Sequence, residues 1–400
     1  MYQLSVVLSK KYFSGRETET NMKKKKLFGL LVGLVFSMAV FSGCDSSNSN
    51  VTPMYGDSAE IKIAILGADK QFSAREDFLI GMDLAIRELE AQNIKVSYEK
   101  LDDGHSRDNG IALATEVAHD SAYTMAFTMQ SADVVDTIAE IFEEAEKPLL
   151  IVNEVLYPTM NKGQEYVLAG VVSAEAKGKA LTKYCEKNGI KWVAAAHSDT
   201  QYEKIFARNF TDETMASKNV NMVDSFSGPN SMGDILDMYN RWNILGVQAA
   251  LFTFDDLEWA CEVISNIKAQ NKDILIFGDY SYNDKTILNK YGETLDGLIA
   301  VGPMGVPSTE NLQAFYDKYD NIAESEYNMG LDSFSALGYD FIQMIAHNVK
   351  KSSNAQEFMK NMKSSEGYEG VTGVKFNKKG QLDEEPDFFI VRDGKTWRID

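Results

Sequence analysis

Residues 61–92, IKIAILGADKQFSAREDFLIGMDLAIRELEAQ, read as a strand followed by a helix and decide the fold class of this 400-residue chain. Residues 61–66 form a short run of strand length in which every residue except Lys62 is apolar. In residues 75–92 the apolar side chains recur at the spacing of one helix face: Phe78, Met82, Ala85, Ile86 and Leu89. The stretch therefore predicts the first half of a β–α–β unit.

The same alternation continues along most of the chain. Strand and helix patterns follow one another to residue 152, restart with a helix at 175–188 and continue to residue 301. Because parallel strands need crossover helices, two such runs predict an α/β protein with two doubly wound parallel-sheet lobes. The last third is mostly helical, with closing strands predicted at 374–376 and 388–392.

The beginning of the chain has the features of a secretory signal. Four lysines at 23–26 precede an apolar run at 27–40 that is short for a membrane span. Phe41-Ser42-Gly43-Cys44 resembles the bacterial lipobox, in which the cysteine is lipidated after cleavage. We expect residues 1–43 to be a leader and lipoprotein signal peptide, with Met22 as a natural start. An uncleaved anchor helix or a buried core helix is the alternative.

Composition limits the classes of function. The formal net charge is −19, and the first 43 residues contribute seven basic and only two acidic residues, so the remainder is more acidic still. Such a surface repels phosphate backbones, which argues against nucleic-acid binding. Residues 44–57 are polar and without periodicity, as in a flexible tether. Cys185 and Cys261 fall in helical patterns, either as buried free thiols or as one disulfide.

Catalytic and cofactor motifs are missing from the sequence. It has no dinucleotide-binding G-x-G-x-x-G, no phosphate-binding GxxxxGK[ST] and no G-x-S-x-G nucleophile motif. His197, Ser198 and Asp199 are adjacent, whereas the members of a catalytic triad converge from distant segments. We therefore predict no catalytic residues, no cofactor and no metal.

The loops after the predicted strands carry the polar side chains that could bind a ligand. In open α/β sheets, ligands bind beyond the carboxyl ends of the strands. Those loops are rich in aromatic rings, hydroxyls and carboxylates, which suits a small polar ligand: 67–72, 129–131, 153–157, 198–202, 254–256 and 279–282. The alternative is that these are ordinary loop residues, with Ser131 and Asp199 as helix caps.

An ordered series of short motifs resembles the type I periplasmic binding proteins, and most nearly the leucine/isoleucine/valine-binding solute receptors of ABC transporters. The motifs extend over most of the chain after the lipobox: Gly81-Met82-Asp83-Leu84-Ala85, Leu101-Asp102-Asp103-Gly104, Pro148-Leu149-Leu150-Ile151, Phe315 with Tyr319, Gly338-Tyr339-Asp340, and Gly373-Val374-Lys375-Phe376 with Gly380.

The resemblance implies the positions of the ligand-binding residues. A serine after the third strand and groups after the fourth would hold a ligand carboxylate, and an aromatic and an acidic residue from the other lobe would close over the ligand and pair with its ammonium. The matching positions are Gln130, Ser131, Asn153, Val155, Tyr157, Tyr202, Phe254, Asp255 and Asp279. Glu203 stands where the family has a glycine, and the loop at 153–157 lacks the family's small residues.

The resemblance also implies an organisation and a function. Lobe 1 would comprise residues 58–171 plus 302–385, and lobe 2 residues 172–301 plus 386–400, joined by a three-crossing hinge. The protein would be an extracytoplasmic, lipid-anchored solute-binding protein. It would capture an amino acid or a related amine or carboxylate and deliver it to an ABC permease. A sensor subunit of the same fold, or an extracytoplasmic enzyme, is the alternative.

Overall fold

The computed structural model describes residues 54–160, 162–303, 305, 310–364, 368–382 and 385–399. The predicted signal peptide, Cys44 and most of the predicted tether lie outside these residues. Within them the chain builds two separate sheets, one fully parallel and one mostly parallel, flanked by helices as the alternation of strands and helices predicts. We call the first sheet with its helices lobe 1 and the second lobe 2.

Lobe 1 contains a five-stranded, fully parallel sheet. Its strands are β1 (Ile61–Gly67), β2 (Val96–Asp102), β3 (Met125–Thr128), β4 (Leu149–Ile151) and β5 (Val167–Ala169). They lie in the order β2-β1-β3-β4-β5. Between them run α1 (Asp69–Ala74), α2 (Glu76–Ala91), α3 (Arg107–His119), α4 (Ala132–Glu144) and α5 (Tyr157–Met160). β3, β4 and β5 are completely buried, and their sequences are apolar except for Thr128.

Lobe 2 contains a seven-stranded mixed sheet. Its strands are β6 (Trp192–His197), β7 (Asn221–Ser227), β8 (Ala249–Thr253), β9 (Leu275–Asp279), β10 (Ile299–Val301), β11 (Phe388–Arg392) and β12 (Lys395–Ile399). β7, β6, β8, β9 and β10 are parallel neighbours, and the β11–β12 hairpin adds to β10 in the antiparallel direction. Its helices are α6 (Ala174–Lys187), α7 (Gln201–Ala216), α8 (Met232–Leu245), α9 (Leu257–Gln270) and α10 (Lys285–Leu295).

Three further helices lie between β10 and β11 in the chain and return to lobe 1: α11 (Glu310–Tyr327), α12 (Ser333–Lys350) and α13 (Ala355–Ser364). α12 lies against α2 with almost no space between the backbones. A Cβ atom added to Gly81 would stand 1.8 Å from the carbonyl oxygen of Ser335, and one on Gly338 would stand 2.1 Å from that of Phe78. The ring centroids of Phe78 and Phe334 are 5.2 Å apart. Two glycines therefore permit the helix contact that completes the lobe 1 core.

The chain passes between the lobes after β5, after β10 and before β11. These segments are joined by backbone hydrogen bonds: the N–H of Val172 donates to the carbonyl of Pro303, and that of Gly302 to the carbonyl of Asp387, each at 2.7 Å. The three crossing segments therefore lie side by side.

Several predicted elements differ from the observed ones. The strand predicted at 374–376 is wrong, because Phe376 forms only an isolated bridge to Leu382. The preceding backbone is instead held by Asp340 of α12, whose carboxylate accepts hydrogen bonds from the N–H groups of Val371 and Thr372 at 2.9 and 2.7 Å. The loop predicted at 67–72 contains the start of α1. α5, β5, α10 and β12 were not predicted.

Candidate functional site

The two lobes contact each other at the carboxyl ends of their parallel strands. Tyr280, directly after β9, donates a hydrogen bond from its hydroxyl to Asp332 of lobe 1 at 2.7 Å. Its ring centroid lies 6.2 Å from that of Phe334. Ala132 and Leu156 of lobe 1 belong to the same buried apolar cluster as Tyr202 of lobe 2. We call the region around these contacts the cleft, and its polar residues form the candidate site.

On the lobe 2 side, a lysine, a tyrosine and an aspartate form a closed group. The Lys177 ammonium donates to the Tyr202 hydroxyl and to Asp279 Oδ2, both at 2.8 Å, and the Tyr202 hydroxyl donates to the same Oδ2 at 2.7 Å. The Lys177 and Asp279 side chains are only 4% and 12% exposed. Burial alone would raise the pKa of Asp279, but the Lys177 charge and the two hydrogen bonds hold it below its usual value.

Lys177 was not among the predicted site residues, although the sequence carries a signal for it. Ala174, Gly178, Leu181 and Cys185 are buried residues of α6, and Lys177 falls on the same face. A lysine on an apolar helix face has to find a buried acceptor or a counter-ion. The pattern could therefore have marked Lys177, but not which carboxylate it would meet.

On the lobe 1 side, the first turn of α4 faces the cleft. Ser131 is the N-cap residue, and its hydroxyl donates to Asp133 Oδ1 at 2.6 Å instead of capping a backbone N–H. The N–H of Ala132 donates to Glu154 Oε2 at 2.6 Å. Burial raises the pKa of Glu154 to about 7, against the lowering effect of this hydrogen bond. The partly positive helix start thus already carries a carboxyl group of the protein itself.

Arg75, between α1 and α2, brings a second cation to the cleft. Its guanidinium donates to Asn153 Oδ1 and to the carbonyl of Ala74, both at 3.0 Å, and lies 5.4 Å from the centre of the Phe334 ring. Its Nε is buried and has no hydrogen-bond partner among the described residues. Asn153 is further fixed by donating to the Met129 carbonyl at 3.0 Å.

Two more acidic side chains lie near the contact between the lobes. Burial and the neighbouring Asp332 charge raise the pKa of Asp77 well above its usual range. Burial, followed by the charge of Glu154 in the opposite lobe, raises the pKa of Glu203 to about 8. The cleft therefore holds acidic groups that favour their neutral form because they are buried close to other carboxyls.

The other predicted site residues lie in different environments. Gln130 is buried and donates from Nε2 to Asp103 Oδ2 at 2.6 Å, so it supports the loop after β2. Val155 is buried, and its carbonyl accepts a hydrogen bond from the N–H of Ala174. Tyr157 begins α5, and its side chain is outside the described residues.

Phe254 and Asp255 line a cavity of about 400 Å³ together with Ser198, Asp199 and Trp259. Asp199 does not cap α7, because its carboxylate is 2.9 Å from Lys204 and accepts a hydrogen bond from Ser227. Thr200 is the N-cap residue instead.

Within the described residues, no group of three or more His, Cys, Asp or Glu side chains is arranged to hold a metal ion. None of the helices in the described part of the chain combines the length and apolarity needed to cross a membrane. Cys185 and Cys261 are both free and buried, which decides between the two interpretations of these residues.

Comparison with known proteins agrees with this architecture. A family model described as "Periplasmic binding protein" matches residues 60–395. A comparison with curated proteins finds no match. Similar solved structures include an ABC transporter substrate-binding protein from Desulfitobacterium hafniense in complex with Leu, at 19% identity and a TM-score of 0.73, covering 85% of this chain and 100% of that one.

Two other similar structures have different ligands. LivJ of Streptococcus pneumoniae, in complex with isoleucine, is 18% identical with a TM-score of 0.71 and covers 85% of this chain and 99% of its own. A solute-binding protein from R. palustris, in complex with benzoate, is 16% identical with a TM-score of 0.70 and covers 85% and 96%. At these identities the structures establish the fold, whereas the family match extends over most of the chain. The chain therefore belongs to the periplasmic binding protein family of extracytoplasmic solute-binding proteins.

Proposed function

We propose that this protein captures a small polar solute, an amino acid or a related amine or carboxylate, in the cleft between its lobes and delivers it to an ABC permease. The observation that carries the proposal is that polar groups follow the carboxyl ends of strands in both sheets and face one another. Ser131, Asn153 and Glu154 stand on one side, and Tyr202 and Asp279 on the other. The leucine, isoleucine and benzoate complexes of similar proteins support a ligand of this size and polarity.

Capture would work through closure of the lobes about the crossing segments. The proposed lobes comprise residues 58–171 plus 302–385 and residues 172–301 plus 386–400. The crossing segments are hydrogen-bonded to one another, so we expect them to bend together. The lobes would then close by a hinge motion about these segments. The permease would distinguish the closed, loaded receptor from the open one.

A lipid on Cys44 would hold the receptor at the membrane, with residues 44–57 as a tether. Tethering raises the effective concentration of receptor near its membrane partner. Replacement of Cys44 by alanine in the full chain should move the protein from the membrane fraction to the soluble fraction. Retention of Cys44→Ala in the membrane fraction would contradict lipid anchoring.

The solute is identified by thermal-shift screening of amino acids, amines and small carboxylates. A ligand at 100 times its Kd stabilises the folded state by about 2.7 kcal/mol, which is readily measured. No stabilisation by any member of these three classes would contradict the proposal.

Variants then locate the site. Ser131→Ala and Asn153→Ala should each lower the affinity for the solute found in the screen by about 10-fold or more, since a hydrogen bond to a charged group contributes about 1.5–3 kcal/mol. Tyr239→Phe is the matched control, because that hydroxyl, on α8, donates to the Gln270 carbonyl away from the cleft. Unchanged affinity in both cleft variants would place the solute elsewhere.

A further inference from the structure

Lys177 is a buried charge whose hydrogen-bonding capacity is not filled by the protein. An ammonium group has three N–H donors. In the described part of the chain, Lys177 has two acceptors, the Tyr202 hydroxyl and Asp279 Oδ2. With a side chain only 4% exposed, it has little access to solvent for the third donor. A buried donor without an acceptor is unfavourable, so the site is more stable with a further acceptor present.

The acceptor side of the cleft is already occupied by that lysine. A buried carboxylate that also accepts from a tyrosine is the arrangement that would bind the ammonium group of a solute. Here Lys177 supplies the ammonium, at 2.8 Å from Asp279. A second ammonium bound to Asp279 would stand within a few ångströms of the first, and two like charges at that separation repel each other strongly in a poorly hydrated site.

A second unfilled donor lies on the lobe 1 side of the cleft. Arg75 has a buried Nε without a partner among the described residues. The N–H of Ala132, in contrast, already donates to Glu154 of the same lobe. Lys177 and Arg75 together therefore favour a solute that brings acceptor oxygens.

We propose that Lys177 determines the ligand class of this cleft. It takes the place of a solute ammonium at Asp279 and Tyr202, so the protein binds a small carboxylate without an α-amino group in preference to the corresponding amino acid. This inference rests on the proposed function and narrows its solute. The carboxylate oxygens would accept from Lys177 and from the donors of lobe 1.

The test compares matched acids that differ only in the α-amino group. The probes are 4-methylpentanoate and L-leucine, phenylacetate and L-phenylglycine, and succinate and L-aspartate, each titrated calorimetrically into the full chain without its signal peptide. We expect at least one pair in which the acid without the amine binds at least tenfold more tightly. An amino acid that binds as tightly as its partner, or three pairs that do not bind, would overturn the inference.

The variant Lys177→Met provides a second test of the role of Lys177. It removes the charge and leaves Asp279 open, so the preferred acid should lose at least tenfold in affinity and the matching amino acid should gain. Lys183→Met is the control, because Lys183 lies on the same helix but is half exposed and pairs with Glu385. If Lys177→Met does not fold, Lys177→Met/Asp279→Asn removes both charges and should bind the two members of a pair within about threefold. An unchanged preference in either variant would overturn the role of Lys177.

The outcome separates this inference from the proposed function. A screening hit that carries an α-amino group and binds better than its deaminated counterpart refutes the role of Lys177 while leaving solute capture intact. The absence of any hit in the wider screen refutes solute capture itself.

Discussion

The buried Lys177–Asp279 pair leads to the sharpest energetic prediction. Both side chains are nearly inaccessible to solvent, so removal of one partner leaves the other as a buried, uncompensated charge. Lys177→Met and Asp279→Asn should therefore each lower the free energy of unfolding by about 3–5 kcal/mol. The double variant should lose less than either single variant, because it leaves no lone charge and the introduced amide oxygen can still accept from Tyr202. The two single losses should together exceed the double loss by about 3 kcal/mol or more.

The measurement is a double-mutant cycle by urea unfolding, monitored by circular dichroism. The matched control is the pair Lys183 and Glu385, whose side chains are 48% and 75% exposed. Exposed pairs contribute about 0–1 kcal/mol, so Lys183→Met and Glu385→Gln should have little effect. The reasoning is refuted if Lys177→Met and Asp279→Asn each cost less than about 1 kcal/mol, or if their effects add without coupling.

Three further predictions concern packing, protonation and thiols. Gly81→Ala should destabilise the protein by about 1–3 kcal/mol or more in urea unfolding, because the added Cβ would collide with α12. In the control Gly233→Ala, the added Cβ would have its nearest neighbour at 3.6 Å, so this change should be neutral or stabilising. Equal effects of the two substitutions would contradict the close helix contact. Glu203 has a pKa of about 8 in the folded protein, above the ordinary glutamate value of 4.5. The stabilisation that comes from its protonated form is complete below pH 4.5 and is lost as the pH rises to about 8. The free energy of unfolding should thus decline less steeply between pH 5 and 8 in Glu203→Gln than in the parent, and parallel curves would refute the shift. Burial raises the thiol pKa of Cys185 and Cys261 to about 12, so both should react with a thiol reagent only after unfolding; rapid labelling of the folded protein would contradict their burial.

The fold was largely predictable because its main elements have strong periodic patterns. The apolar face of α2 and the run of β1, apolar except for Lys62, each indicate their structure without help from the rest of the chain. The three residues of β5 are too few to show a period, and β12 alternates on a mostly exposed edge. Residues 374–376 have a strand-like sequence but form only an isolated bridge at Phe376, and the backbone just before them donates its hydrogen bonds to the distant Asp340.

The candidate site was predictable only in outline. The rule that ligands bind beyond the carboxyl ends of parallel strands places Tyr202 and Asp279 on the same edge of the lobe 2 sheet, and the structure brings them within hydrogen-bonding distance. The rule does not cover side chains that approach from a helix, such as Lys177, or from the junction between two helices, such as Arg75, so both were missed. The rule also does not show which way a side chain in these loops turns: Gln130 is buried and donates to Asp103.

The positions of the charged contacts determine which of them would break if the lobes separated. The Lys177–Tyr202–Asp279 group lies wholly within lobe 2, and the contact between Glu154 and α4 lies wholly within lobe 1. Opening would break contacts such as Tyr280–Asp332 but would leave both groups intact. Each lobe would thus present an already ordered half of the binding surface, and an arriving solute would have little side-chain freedom to freeze. Such a receptor would lose less entropy on binding than one whose contact residues become ordered only around the solute.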